Sequence, residues 1–92
     1  MLDFRILGPL EVREGENALH LGGSKQRGVL AILLLRANEL VSSDRLIDEL
    51  WGETPPEDAG MALQAHVSRL RKALPDGASI LVTQAPGYVL RL

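Results

Sequence analysis

Hydrophobic positions change their period along this 92-residue chain, and each change marks a different element. Residues 2–7 (LDFRIL) and 10–13 (LEVR) alternate apolar with charged residues, the period of a half-buried strand. Gly8-Pro9 and Gly15-Glu16-Asn17 interrupt the alternation before residues 18–21, so a small antiparallel sheet is predicted over residues 1–21. Gly22-Gly23 closes it. Ser24 is then the expected N-cap of a helix through residues 25–37, whose interior VLAILLL (29–35) is apolar nearly all round and reads as the central core helix. Asn38 suits the left-handed conformation that stops such a helix, and Val41 reads as a short extended bridge.

Ser42 or Ser43 caps a second helix over residues 44–51. Its Leu46, Ile47 and Leu50 point inward, Asp44 sits near the positive end, and Gly52 is the stop. Thr54 and Glu57 have capping-box spacing across the stiff Pro55-Pro56 pair, and Asp58 is a second N-cap candidate for a helix from Ala59.

In the third helix, Leu63, Val67, Leu70 and Leu74 recur at i, i+4, i+7 and i+11, one narrow stripe that must face a core. The opposite side carries Met61, Gln64, Ala65, Ser68 and Lys72, with Arg69 and Arg71 on its two shoulders and no acidic residue. Small residues let a backbone approach a groove while Arg and Lys reach its floor and rims, so this face suits a polyanion. A cationic face near a helix C-terminus is also what the macrodipole favours in plain solvent. Pro75-Asp76-Gly77 ends the helix, and residues 80–83 and 88–91 form a closing hairpin around Gln84-Ala85-Pro86-Gly87.

Sheet, three helices and hairpin make an α+β chain. Two helices joined by a short turn and followed by a hairpin form a winged helix-turn-helix, whose second helix enters the major groove. The expectation is one domain over residues 1–92: the sheet at 1–21, a three-helix core at 24–74 and the wing at 80–92.

Charge sharpens this picture. The net charge of −2 argues against indiscriminate polyanion binding, but residues 61–92 hold Arg69, Arg71, Lys72 and Arg91 against Asp76 alone, leaving +3 there and −5 in the first sixty. The cationic character is local to the third helix and wing, as in a sequence reader with few phosphate contacts.

Composition excludes other chemistry. A chain this short has one small core, no cysteine offers a disulfide or thiolate site, and His20 and His66 stand apart, so no metal or cofactor is expected. Nothing combines a nucleophile, a base and an orienting group, which argues against an enzyme. The absence of a signal-peptide pattern or a membrane-length apolar run points to a cytoplasmic protein with no membrane partner.

The runs at residues 41–52 (VSSDRLIDELWG) and 67–74 (VSRLRKAL), with the terminal Pro86-Gly87-Tyr88, resemble the OmpR/PhoB-type winged-helix DNA-binding domain. Leu7-Gly8-Pro9-Leu10 and Lys25-Gln26-Arg27 narrow the resemblance to SARP or AfsR-type regulators, bacterial transcriptional activators of antibiotic and other secondary-metabolite gene clusters.

By that resemblance Arg69 and Gln64 occupy base-reading places: Arg can bond guanine at O6 and N7, and Gln adenine at N6 and N7. Ser68, the third base-reading candidate, stands where many relatives carry a longer basic side chain. Trp51, His66, Arg71 and Tyr88 match phosphate-holding positions, and Met61, Ala65, Lys72 and Thr83 complete the phosphate and groove-rim set. Gln84 replaces the arginine that relatives often send into the minor groove, a departure expected to weaken the wing's hold.

The resemblance also implies partners: double-stranded DNA carrying direct repeats, self-association on it, and RNA polymerase holoenzyme, touched by the loop at residues 54–58. Response regulators place a phosphorylatable receiver before this domain, for which a chain starting at Met1 leaves no room. SARP-type proteins continue into a helical activation domain where this chain stops, so a one-domain fragment is expected. The alternative reading is a winged helix used only for protein contact, with Met61, Ala62 and Ala65 as the apolar patch and the arginines as its rim.

Overall fold

In a computed structural model, the structure describes residues 2–5, 11–14, 17–19 and 21–92. Short runs with strand alternation pair as expected at the N-terminus: β1 (Leu2–Arg5), β2 (Glu11–Glu14) and β3 (Asn17–Ala18) form an antiparallel sheet in the order β1-β2-β3. Phe4 lies opposite Val12, and Arg13 opposite Ala18. His20 and the expected breaks at Gly8-Pro9 and Gly15-Glu16 lie outside the described residues.

The first helix, α1, runs Ser24–Leu35. Its N-cap is Gly23 rather than Ser24, and no side chain caps it, because Ser24 already has helical geometry as the first residue of the turn. Val29, Leu30 and Leu33 are completely buried, whereas Leu35 is 73% exposed, so this helix is embedded on one side and open on the other rather than enclosed all round. Asn38 does stop it in the left-handed region, with φ 68°. Its N–H donates to the Leu90 carbonyl at 2.7 Å, and its Oδ1 accepts from the Leu92 N–H at 3.0 Å, so the helix end is pinned to the chain's last strand.

Val41–Ser42 forms the short strand β4, and α2 follows at Ser43–Trp51. Ser42 is the cap: its Oγ accepts from the Arg45 N–H at 3.1 Å, and Gly52 ends the helix at φ 60°. The Thr54–Glu57 capping box does not form; the Thr54 hydroxyl turns back to the Trp51 carbonyl. The long helix α3 covers Ala59–Ala73, entered through Asp58, whose side chain makes no capping bond.

One element was not anticipated. Gly77–Ile80 winds into a single helical turn, α4, before the hairpin strands β5 (Leu81–Gln84) and β6 (Gly87–Leu90). Left-handed Asp76 turns the chain, and a Cβ on Gly77 would lie 2.1 Å from the Arg71 carbonyl oxygen, so only glycine permits the α3 and α4 backbones to approach this closely. Ile80, expected to open the strand, closes this turn instead.

β6 is the centre of a second sheet, ordered β4-β6-β5. Gly87 pairs with Ser42 on one side and Gln84 on the other. A Cβ there would meet the Val41 carbonyl oxygen at 1.9 Å, and the neighbouring Pro86 carbonyl accepts from the Ser43 N–H, so Pro86-Gly87-Tyr88 welds the hairpin base to the start of α2. The core gathers Val29, Leu30 and Leu33 of α1, Leu46 of α2, Leu63, Val67 and Leu70 of α3, and Val41, Leu81 and Leu90 of the sheet. Truncating any of these leucines to alanine removes about 2 to 5 kcal/mol.

Candidate nucleic-acid interface

The core stripe of α3 is buried at Leu63, Val67, Leu70 and Leu74, which fixes the rotation of the helix and therefore what it presents outward. Met61, Gln64, Ser68, Arg69 and Lys72 are exposed, while Ala65, His66 and Arg71 are half-buried at the flanks. Among the described residues no hydrogen bond or ion pair holds Gln64, Ser68 or Lys72, so their polar groups are available to a ligand. Met61 is 70% exposed at the N-terminal end of this face.

One flank of α3 meets the start of α1. Gln26, only 9% exposed, donates from Nε2 to the Leu21 carbonyl at 3.0 Å. Its Oε1 faces His66 Nδ1 at 3.3 Å and accepts from Arg69 Nη1 at 3.5 Å. The His66 ring lies 6.3 Å from the Trp51 ring, tilted by 35°, and Lys25 Nζ sits 5.7 Å from the Trp51 ring centre while donating to the Leu50 carbonyl. Three elements thus bring Lys25, Trp51, His66 and Arg69 to one corner. Burial pushes the His66 pKa below its ordinary value, and the charges of Arg69 and Lys25 push the same way.

The other flank meets the hairpin. Arg71 donates from Nε to the Leu81 carbonyl at 2.7 Å and from Nη2 to the Thr83 hydroxyl at 2.6 Å. Two residues expected at the phosphates and groove rim, Arg71 and Thr83, are therefore bonded to each other, and the guanidinium ties the helix to the wing. Gln84 and the Ala85-Pro86 tip beyond it are exposed. Tyr88 is 6% exposed, and its ring packs in the core cluster. An arginine fork satisfies a strand carbonyl and a hydroxyl together, which a lysine point charge cannot match.

Two participants escaped the sequence reading. Gln26 and Lys25 stood in a run noted only for its resemblance, and three successive polar residues there give no local sign of which one is buried. The link from Arg71 to the wing depends on which strand returns beside α3, which no local pattern encodes.

Away from this face, Ile32, Leu35, Arg36, Glu39 and Glu49 line an open depression of about 370 Å³ between α1 and α2. Among the described residues, no group of three His, Cys, Asp or Glu could hold a metal, and no helix is long and apolar enough to cross a membrane.

Residues 16–90 match the family described as "Transcriptional regulatory protein, C terminal". Regulatory protein AfsR of Streptomyces coelicolor is 45% identical over 91 residues, which is 98% of this chain and 9% of AfsR. The structure of Mycobacterium tuberculosis EmbR in complex with a low-affinity phosphopeptide superposes with a TM-score of 0.92 at 40% identity, covering 99% of this chain and 25% of that one. The DNA-binding domain of CpxR from E. coli superposes at 0.72 with 25% identity, covering 88% of this chain and 81% of that domain. This chain spans 9% to 30% of the length of the curated relatives it matches.

Proposed function

The chain belongs to the OmpR/PhoB-type family of transcriptional regulatory domains, with SARP-type regulators among its relatives, and from that premise we propose how it engages double-stranded DNA. Its α3 lies in the major groove. Gln64, Ser68 and Arg69 read base edges, Lys72 and the corner of Trp51 and His66 meet phosphates, and the wing reaches the neighbouring minor groove through Gln84. The observation that carries this reading is the outward face of α3: donors and cations without a carboxylate, on a helix whose rotation is locked by four buried aliphatic side chains.

The chain acts as the reading domain of a bacterial activator of a secondary-metabolite gene cluster. Two copies bind head to tail on direct repeats spaced about one helical turn, 10 to 11 base pairs, because one domain of net charge −2 makes few phosphate contacts. The exposed loop at residues 54–58 is left free to touch RNA polymerase.

Footprinting on candidate promoter DNA, followed by competition with cognate and scrambled duplexes, tests the reading. A protected site displaced only by cognate DNA supports it; equal displacement by both duplexes removes sequence-specific reading and favours the protein-contact alternative through exposed Met61.

A further inference from the structure

We infer that Gln26 is a positioning residue for DNA reading: from α1 it sets which edge of the Arg69 guanidinium and which ring nitrogen of His66 face a ligand. This rests on the proposed base-reading role of Arg69. The orientation of the Gln26 amide is not free, because the Leu21 carbonyl can only accept, so the NH₂ group must face it and Oε1 must face α3. An oxygen there accepts and cannot donate. Arg69 therefore places Nη1 against Oε1, which turns that side of the guanidinium to α1 and keeps the Nε and Nη2 edge open for the two acceptors of a guanine.

His66 is constrained by the same oxygen. Its Nδ1, 3.3 Å away, must carry a proton to bond Oε1, so neutral His66 has Nε2 as an acceptor. Phosphate contact through Nε2 then requires the cationic form, whereas a base amino group can be met by the neutral one.

The backbone next to Gln26 is shaped for this arrangement. Gly22 has φ +87°, and a Cβ on it would lie 2.1 Å from Gln26 Nε2. A Cβ at this position would occupy the space the amide fills and push the whole group, Oε1 included, out of its place beside α3. The hub thus consists of a buried amide, a glycine that makes room for it, and two ligand-facing groups hung on one acceptor.

The test is selection from a duplex library with a randomised core, using the 92-residue chain and its Arg69→Ala, Gln26→Met and Gln26→Glu variants. Met and Glu both lose the amide donor to Leu21, but only Glu keeps an acceptor for Arg69 and His66. Wild type should enrich one base pair that Arg69→Ala ceases to enrich, with discrimination of roughly 5- to 100-fold. Gln26→Met should lose most of that preference at the same base pair, and Gln26→Glu should keep it. Equal behaviour of Met and Glu overturns the positioning role while leaving Arg69 as a reader; an unchanged preference in Arg69→Ala overturns the base-reading role itself and the inference with it. A measurement on the wild type is independent of variant folding: nitrogen chemical shifts of His66 at pH 8 should show the proton on Nδ1, and finding it on Nε2 overturns the inference.

Discussion

Arg69 and Arg71 leave the same helix two positions apart, on opposite sides, and end in opposite circumstances. At the seam with α1, exposed Arg69 has one long bond of 3.5 Å to a neutral amide oxygen. At the seam with the wing, half-buried Arg71 makes two short bonds of 2.7 and 2.6 Å and commits its Nε–Nη2 edge to them. A guanidinium with spare donors can read a ligand; one whose fork is filled by a strand carbonyl and a hydroxyl builds the frame that carries the ligand surface. The sequence reading placed Arg71 among phosphate contacts, and the Nη1 group left over by these two bonds keeps donors for such a contact.

The largest expected effect breaks the wing seam at its base. Gly87→Ala pushes a methyl group into the Val41 carbonyl oxygen and should cost about 3 kcal/mol, lowering the thermal midpoint by more than about 10 °C. A calorimetric scan matching wild type would mean that β4 and β6 are not locked at this point.

Next, Arg71→Ala should destabilise the chain by about 2 kcal/mol through the loss of two charge-assisted bonds. Arg69→Ala should change stability by less than about 0.5 kcal/mol yet lose about 1 to 3 kcal/mol of discrimination at one base pair. Urea unfolding and duplex titration of both variants sharpen the contrast, and equal stability losses would erase the distinction between frame and reader.

The wing tip offers a smaller effect. Gln84→Arg adds a cation where A·T-rich minor grooves are most negative, tightening binding by about 1 kcal/mol and steepening the salt slope by about one unit. Affinity measured at several salt concentrations on an A·T-flanked duplex decides it, with superimposable lines meaning that the tip does not touch DNA.

The smallest effect lies at the α1 seam, in His66. Its native pKa is lowered, first by burial and then by Arg69 and Lys25, so the unfolded chain binds a proton more readily. Stability is therefore fully present above the ordinary histidine value of about 6.5 and declines as pH falls through it towards the lowered native value. His66→Gln should flatten that decline in thermal midpoints measured between about pH 5 and pH 8, the range in which histidine titrates. An unchanged decline would assign the pH dependence to another group.

Much of the fold was legible because it is periodic. The stripe of Leu63, Val67, Leu70 and Leu74, the left-handed stop at Asn38, a serine cap at 42 or 43 and the Gly52 stop are short-range consequences of helix geometry, and a linear reading finds them. The N-cap of α1, the Thr54–Glu57 box and the extra turn at Gly77–Ile80 were not legible: α1 starts one residue early with no side-chain cap, the Thr54 hydroxyl chooses the Trp51 carbonyl over the next helix, and the turn at Gly77 depends on how closely the Arg71 backbone packs on it.

For the interface, the supply of side chains follows from the sequence alone: which residues share the outward face of α3, that no acid stands among them, and that residues 61–92 carry a net charge of +3. How each is held is set by packing. It set Gln26 of α1 against Arg69 and His66, and β5 against Arg71, because partners 43 and 10 to 12 residues apart meet only after the core has packed. Helical period tells where a side chain points; the direction and distance of its hydrogen-bond partners, which determine whether it is free to bind, belong to the packed structure.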